Sequence, residues 1–185
     1  MKNKLIQCAQ EVYLENGYSG FSMRKVGLKA GVTATAIYRH FENKNELLHH
    51  VLLEGFKKFA SYISSAKDKD TPIECLKTSG RQYLNFALEN PSFYKIMYMS
   101  TDDLHEVRSF TAEGETEIRA TFQIHLDYVT NCNFKSGDAR TIALSLWSLC
   151  HGMVSLYFAS RLREMSKIEF IEFFILSMDK YIDSL

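Results

Sequence analysis

Within eight residues, Thr33-Ala34-Thr35-Ala36-Ile37-Tyr38-Arg39-His40, the sequence gathers two hydroxyls, a phenol, a guanidinium and an imidazole around one isoleucine. On a helix Ile37 turns inward and leaves Thr33, Thr35, Tyr38, Arg39 and His40 outside. That set suits the groove of a DNA duplex. Hydroxyls and the phenol can donate to phosphates, Arg39 can bond a guanine edge through two parallel N–H groups, and Ala34 and Ala36 permit close approach and contact with a thymine methyl. The N-terminus of the same helix favours a phosphate, and Lys44 stands ready to hold the flanking backbone.

Other reactive groups do not combine into a catalytic device. His49-His50 and Cys150-His151 are sequence neighbours, about 100° apart on a helix, and so form neither a nucleophile–base pair nor a metal site. The sequence has no Gly-rich phosphate loop, no His-x-x-x-His motif and no Gly-x-Ser-x-Gly elbow. Cys8, Cys75, Cys132 and Cys150 lie far apart with no C-x-x-C pair, and no secretory apolar segment follows Met1. A reducing cytoplasm is expected, with no metal, no cofactor and no enzymatic activity. Lysine plus arginine balances aspartate plus glutamate at 22 each, yet residues 1–50 carry seven basic and four acidic side chains. The positive end is the one that holds the DNA-competent residues.

The elements that must position these groups are helices. At 185 residues, 46% hydrophobic and 24% charged, the chain has the composition of a folded globular protein of one to one and a half average domains. No stretch sustains period-2 alternation, whereas N-cap acceptors precede glutamates by three residues at Asn43/Glu46, Thr71/Glu74, Asp103/Glu106 and Ser166/Glu169. Gly17, Asn90-Pro91 and residues 131–137 read as stops. Helices are expected over 3–16, 22–30, 33–40, 44–65, 72–89, 91–100, 103–112, 115–131, 137–161 and 166–184. The twenty uncharged residues between Arg140 and Arg161 are long enough to span a bilayer. Ser145, Ser148, His151, Gly152 and Ser155 dilute that run, and a helix buried in protein, with no membrane partner, is the expectation.

Helices 22–30 and 33–40 form a helix-turn-helix. Gly27 sits where the two cross closely, Gly31 supplies the turn, and Val26, Ala30, Val32 and Ile37 provide the apolar contacts. Gly17-Tyr18, Ser22-Met23-Arg24-Lys25-Val26, Ala30-Gly31-Val32-Thr33, Ile37-Tyr38-Arg39-His40-Phe41 and Asn43-Lys44-Asn45-Glu46-Leu47-Leu48 together closely resemble the N-terminal DNA-binding domain of TetR-family transcriptional regulators, over about residues 3–53. The resemblance implies an all-α chain with a three-helix DNA-binding domain, placed at 1–50, and a helical ligand-binding and dimerisation domain at 51–185. It also implies a homodimer on a double-stranded palindromic operator, with contacts from Thr33, Thr35, Tyr38, Arg39, His40 and Lys44, and Arg24 near the backbone. Ala34 stands where many members carry lysine or a polar residue, which shifts base reading toward Thr35, Arg39 and methyl contacts.

In the second part, Ile168, Ile171, Phe174, Ile175, Met178, Tyr181, Ile182 and Leu185 share one side of the last helix. Phe170 and Phe173 widen that side to about 220°, more than one core needs. Ser148, Gly152, Ser155 and Ala159 form a small-residue stripe on the helix before it. Such stripes permit close crossing, either within the chain or with a second copy. The TetR resemblance implies the latter, in a four-helix bundle at which Ser148, Gly152, Ser155, Ala159, Ile171, Phe174 and Met178 are the expected interface. Trp147-x-x-x-His151-Gly152 also resembles the Trp/His-Gly signature of one TetR subgroup. Between these ends lies an aromatic- and methionine-rich middle whose side chains suit an adaptable apolar pocket or simply the core. With the effector site the resemblance implies, Tyr83, Phe86, Phe93, Met97, Phe122, His125, Trp147 and His151 are the candidates for a small apolar or amphipathic ligand. The alternative is an all-α small-molecule-binding or scaffold protein with little DNA binding.

Overall fold

The structure, a computed structural model, describes residues 1–99, 112–135 and 137–185, and among these every regular element is helical. The elements are α1 (Lys2–Gly20), α2 (Met23–Ala30), α3 (Ala34–Ile37), α4 (Lys44–Ser64), α5 (Pro72–Glu89), α6 (Pro91–Tyr94), α7 (Ala112–Cys132), α8 (Ala139–Phe158) and α9 (Lys167–Asp183). A π turn over Lys95–Met99 continues α6. The expected helix 103–112 and its Asp103/Glu106 cap lie outside the described residues, save Ala112.

Cap chemistry sets most boundaries. Ser22 Oγ accepts from Lys25 N–H, Thr33 Oγ1 from Ala36 N–H, and Asn43 Oδ1 from both Asn45 N–H at 2.9 Å and Glu46 N–H at 3.0 Å. Ser166 and Glu169 complete a reciprocal capping box. Glu46 departs from that pattern, since its carboxylate accepts from Glu42 N–H, one residue before the cap. The expected ends of α1 and α8 are among those that move. Helix α1 does not stop at residue 16; Gly17 adopts φ 65°, kinks the helix and lets it resume to Gly20. Helix α8 begins after Asp138, whose side chain accepts from Thr141 N–H, and ends before Ser160 at φ 55°. There Arg161 N–H bonds the Leu156 carbonyl at 2.9 Å, the Schellman closure that stops the helix short of residue 161.

The chain divides into two compact units, residues 1–58 with 90–119, and residues 59–89 with 120–185. In the first, α1 packs on α2 and α2 on α3, around Leu5, Val12, Val26, Ile37, Phe41 and Leu47, all buried. A side chain at Gly55 would overlap Met97 at 2.7 Å and Phe93 at 3.0 Å, so a glycine lets the segment 93–97 lie directly on α4. In the second unit α5 packs against α8 and α9, and α8 against α9. Its core includes Leu76, Leu84, Phe86, Leu146, Val154, Phe170 and Phe174. Gly80 admits the Met178 methyl, and Tyr157 stacks on Phe170 with centroids 4.1 Å apart. Surface pairs Lys77–Asp183 and Arg81–Asp179 join α5 to α9 at 2.5 and 2.6 Å, contributing little beside the buried apolar contacts. By length and composition α8 could cross a membrane, with 33% of its most apolar window buried inside the protein.

Candidate nucleic-acid interface

The geometry of α2 and α3 begins at Gly27. A Cβ there would lie 2.8 Å from the Val32 carbonyl oxygen and 3.3 Å from Ala34 N, so the backbone of the following helix occupies the space a side chain would need. Gly31, at φ 71°, reverses the chain without the strain an L side chain would bring. Its N–H and that of Val32 return to the end of α2. Ile37, fully buried, then pins α3 to the core.

The regular part of α3 is shorter than the expected 33–40. It ends at Ile37, and both His40 N–H at 2.8 Å and Phe41 N–H at 3.1 Å converge on the Ile37 carbonyl, a tightened last turn of the kind common at helix ends. Thr33, Thr35, Tyr38, Arg39 and His40 are all exposed, Tyr38 by 54%, with Ala34 half-buried among them. The expected polar set is therefore solvent-exposed throughout, on α3 and the turn that follows it. Arg24 is exposed on α2.

The neighbouring cations divide by partner. Lys25 Nζ donates to Asn16 Oδ1 at 2.6 Å and to the Gly20 carbonyl at 2.9 Å. Lys29 Nζ donates to Glu15 at 2.5 Å and reaches Glu11 at 3.1 Å, and its hydrogen bonds to those two carboxylates, Glu15 first, raise its pKa. These two lysines tie α2 to α1. Lys44, half-buried, lies over the Tyr18 ring at 4.0 Å from the centroid, and the Tyr18 phenol donates to Asn45 Oδ1 at 2.9 Å. Tyr18 thus steers the ammonium of Lys44 through a cation–π contact. That role was not legible beforehand, since residues 18 and 44 meet only in the fold. Leu28, 84% exposed between these cations, is a second feature the periodicity did not single out.

Two family models match this chain: the tetR family of bacterial regulatory proteins over residues 5–51, and the tetracyclin repressor-like C-terminal domain over residues 76–179. The chain belongs to the TetR family. It is similar to an HTH-type transcriptional regulator of Mycobacterium tuberculosis, 24% identical over 100 residues that make up 52% of this chain and 43% of that protein. The chain thus matches a little under half the length of that curated relative. Among solved structures it shares its fold with the fatty acid degradation regulator FadR of Bacillus halodurans, at TM-score 0.81 and 16% identity, covering 98% of this chain and 93% of that one. FadR of Bacillus subtilis, solved in complex with stearoyl-CoA, gives TM-score 0.74 at 17% identity, covering 98% and 96%. TetR-family members are transcriptional regulators, and the all-α architecture with a helix-turn-helix and a helical C-terminal part agrees with the family.

The effector candidates of this TetR-family chain do not form one group. Phe93 and Met97 lie on Gly55 in the first unit. In the second, Phe86 is fully buried against Phe59 and Tyr62. Met97 is buried in the first unit and Phe86 in the second. Tyr83, also buried, places its hydroxyl 3.4 Å from His151 Nδ1, and Ser155 Oγ lies 3.4 Å from His151 Nε2. Desolvation lowers the His151 pKa. Phe122 on α7 and Trp147 on α8 meet at 5.9 Å between ring centroids, with the Arg140 guanidinium 5.9 Å from the Phe122 ring. One turn along α7, His125 Nε2 is buried with no hydrogen-bond partner. Burial lowers the His125 pKa to about 4, against a smaller opposing effect of a hydrogen bond to the Ala143 backbone.

The interface candidates divide as well. Ser148 and Ala159 are exposed, Ser155 is half-buried, and a Cβ on Gly152 would meet nothing within 4 Å. The small-residue stripe of α8 therefore faces away from its own unit, beside exposed Leu144 and Leu156. Ile171 is half-buried, whereas Phe174 at 0% and Met178 at 2% exposure lie in the interior of their own unit. Cys150 Sγ sits 3.2 Å from Met178 Sδ. The exposed apolar side chains of α9 are Ile168, Phe173 and Leu176. The wide apolar arc in the sequence could not say which flank its own domain would take.

Proposed function

We propose that this TetR-family chain is a repressor that binds a palindromic operator as a homodimer and is released by a small apolar or amphipathic effector. The observation that carries the reading is the exposed edge Thr33, Thr35, Tyr38, Arg39 and His40, set on a helix that buried Ile37 and the backbone contact at Gly27 hold in place. On it Arg39 reads a base, Tyr38, Lys44 and Arg24 hold phosphates, and Ala34 approaches a thymine methyl. Residues 1–50 supply DNA binding, and residues 51–185 the effector site and the dimer contact. The outward small-residue stripe of α8 with Leu144 and Leu156, and the exposed Ile168, Phe173 and Leu176 of α9, support that contact. The stearoyl-CoA complex of one structural relative supports an effector with a long apolar body. A cytoplasmic location follows from this role.

The test is a gel shift of the purified chain on the DNA upstream of its own coding sequence, repeated with compounds that raise its melting temperature. The proposal expects a discrete complex that at least one stabilising compound weakens. By reciprocity, a compound that lowers operator affinity ten-fold has its own affinity lowered ten-fold by the operator, about 1.4 kcal/mol of coupling. Retention no tighter than for unrelated DNA refutes operator binding, and stabilising compounds that leave affinity unchanged refute release.

A further inference from the structure

Lys2 is a cation that the fold orients without neutralising. It stands exposed at the start of α1. Its Nζ lies 3.3 Å from Nε2 of His50 on α4 and 5.4 Å from the centroid of the Phe41 ring, close enough for a cation–π contact. An ammonium can only donate, so Nε2 accepts and the imidazole of this pair is uncharged. Phe41, buried, also meets the His50 ring edge-on at 5.4 Å between centroids, so the three groups brace one another.

The partners of Lys2 among the described residues are thus a neutral ring nitrogen and an aromatic face. Lys29, by contrast, shares its charge with Glu11 and Glu15. Lys2 keeps its whole charge, and the bond to His50 uses one of its three N–H groups. Its place in the first unit follows from Phe41. That ring lies 6.4 Å from the ring of His40, the last of the exposed polar set that begins at Thr33, so the ammonium and His40 rest against the same side chain. A held, uncompensated cation beside a helix whose side chains suit a groove is placed for the phosphates that flank the groove. Being already ordered, it also loses less freedom on binding.

We propose that Lys2 binds a phosphate of the DNA backbone, and that His50 is the positioning residue that aims its ammonium. The proposal rests on the reading that the exposed set of α3 enters a groove of duplex DNA. The contact is made by charge and so carries no base preference: it adds affinity on any sequence and helps fix the orientation of the head. His50 acts through Lys2, and its effect on DNA binding disappears when Lys2 is absent.

The experiment measures, by fluorescence anisotropy, binding of the full chain to the duplex upstream of its own coding sequence and to a random duplex of equal length, at neutral pH and from about 50 to 200 mM salt. Lys2→Gln should lower the slope of log affinity against log salt by about one unit per bound chain on both duplexes. Lys2→Arg should keep the slope, as should Lys67→Gln, an equal change of charge at an exposed site of the second unit. His50→Leu should weaken binding about three-fold, His50→Gln, which retains an acceptor, should restore it, and His50→Leu should have no further effect in a Lys2→Gln chain. Lys2 is exposed, so its variants keep the fold and carry the test even where His50→Leu does not. An unchanged slope in Lys2→Gln, an equal fall in Lys67→Gln, or a His50→Leu effect that persists without Lys2 would overturn the proposal while leaving DNA binding by α3 intact. A wild type that binds neither duplex would overturn the reading of α3 and the phosphate contact with it.

Discussion

Replacing Gly27 by alanine separates helix propensity from the packing that builds the recognition edge. Alanine is favoured over glycine inside a helix by about 1 kcal/mol, so propensity alone predicts a more stable protein. The structure predicts the opposite. The added Cβ would stand 2.8 Å from the Val32 carbonyl oxygen and 3.3 Å from Ala34 N, and both are backbone, unable to rotate aside. Overpacking of this kind costs about 1–3 kcal/mol, which leaves a net loss of about 1 kcal/mol and a melting temperature lower by about 2–4 °C in a chain of this size. Relief requires α3 to move from α2, and hydrogen bonds to phosphates and bases tolerate only a few tenths of an ångström. Loss of one such contact corresponds to about ten-fold in operator affinity. Thermal melts and fluorescence-anisotropy titrations with operator DNA measure both effects. A variant that melts higher than wild type and binds DNA equally well would refute the reasoning.

If Lys44 and Tyr38 hold phosphates, Lys44→Ala should reduce the slope of log affinity against log salt by about one unit, and Tyr38→Phe should weaken binding evenly across sequences. Arg39→Ala should instead relax discrimination at one operator position by about 1–3 kcal/mol, read from a panel of single-base variants. Phe173→Asp and Leu176→Asp, both at exposed positions, should give folded monomers by sedimentation, whereas Phe174→Asp, fully buried in its own unit, should give insoluble chain; an intact dimer in the first two variants would move the interface elsewhere. Because His125 is held neutral in the fold, with its pKa lowered from 6.5 to about 4, the unfolded chain binds the extra proton between those values. Stability contributed by the neutral ring is then complete above pH 6.5 and falls by about 3 kcal/mol as pH drops through 4; urea melts of wild type and His125→Phe across that range should diverge by this amount, and parallel curves would contradict the burial.

The caps and glycines made most of the helical order legible. Ser22, Thr33, Asn43 and Ser166 act through bonds to residues two or three positions on, and Gly27 and Gly31 carry requirements that no other residue meets as well, so local sequence displays them. What escaped depended on contacts distant in sequence or on geometry with no local sign. The π turn at residues 95–99 packs on Gly55, Tyr18 steers Lys44 from the far end of α1, and the Schellman closure at Ser160 uses a residue with no special preference for positive φ. At the recognition edge, exposure of Thr33, Tyr38 and Arg39 followed from the single inward turn of Ile37. In the second unit α9 is apolar around more than half its circumference. Periodicity could not divide Phe173 from Phe174, and only packing against α5 and α8 did.

The most direct test of operator recognition through α3 is selection of binding sites from a random duplex library by the full-length chain, followed by the same selection with Arg39→Ala. The account predicts an enriched palindrome whose half-sites lie about one helical turn, or a multiple of it, apart, and loss of preference at one position per half-site in the variant. A library that emerges without an enriched motif, or a motif that Arg39→Ala and Thr35→Ala both leave unchanged, would contradict it.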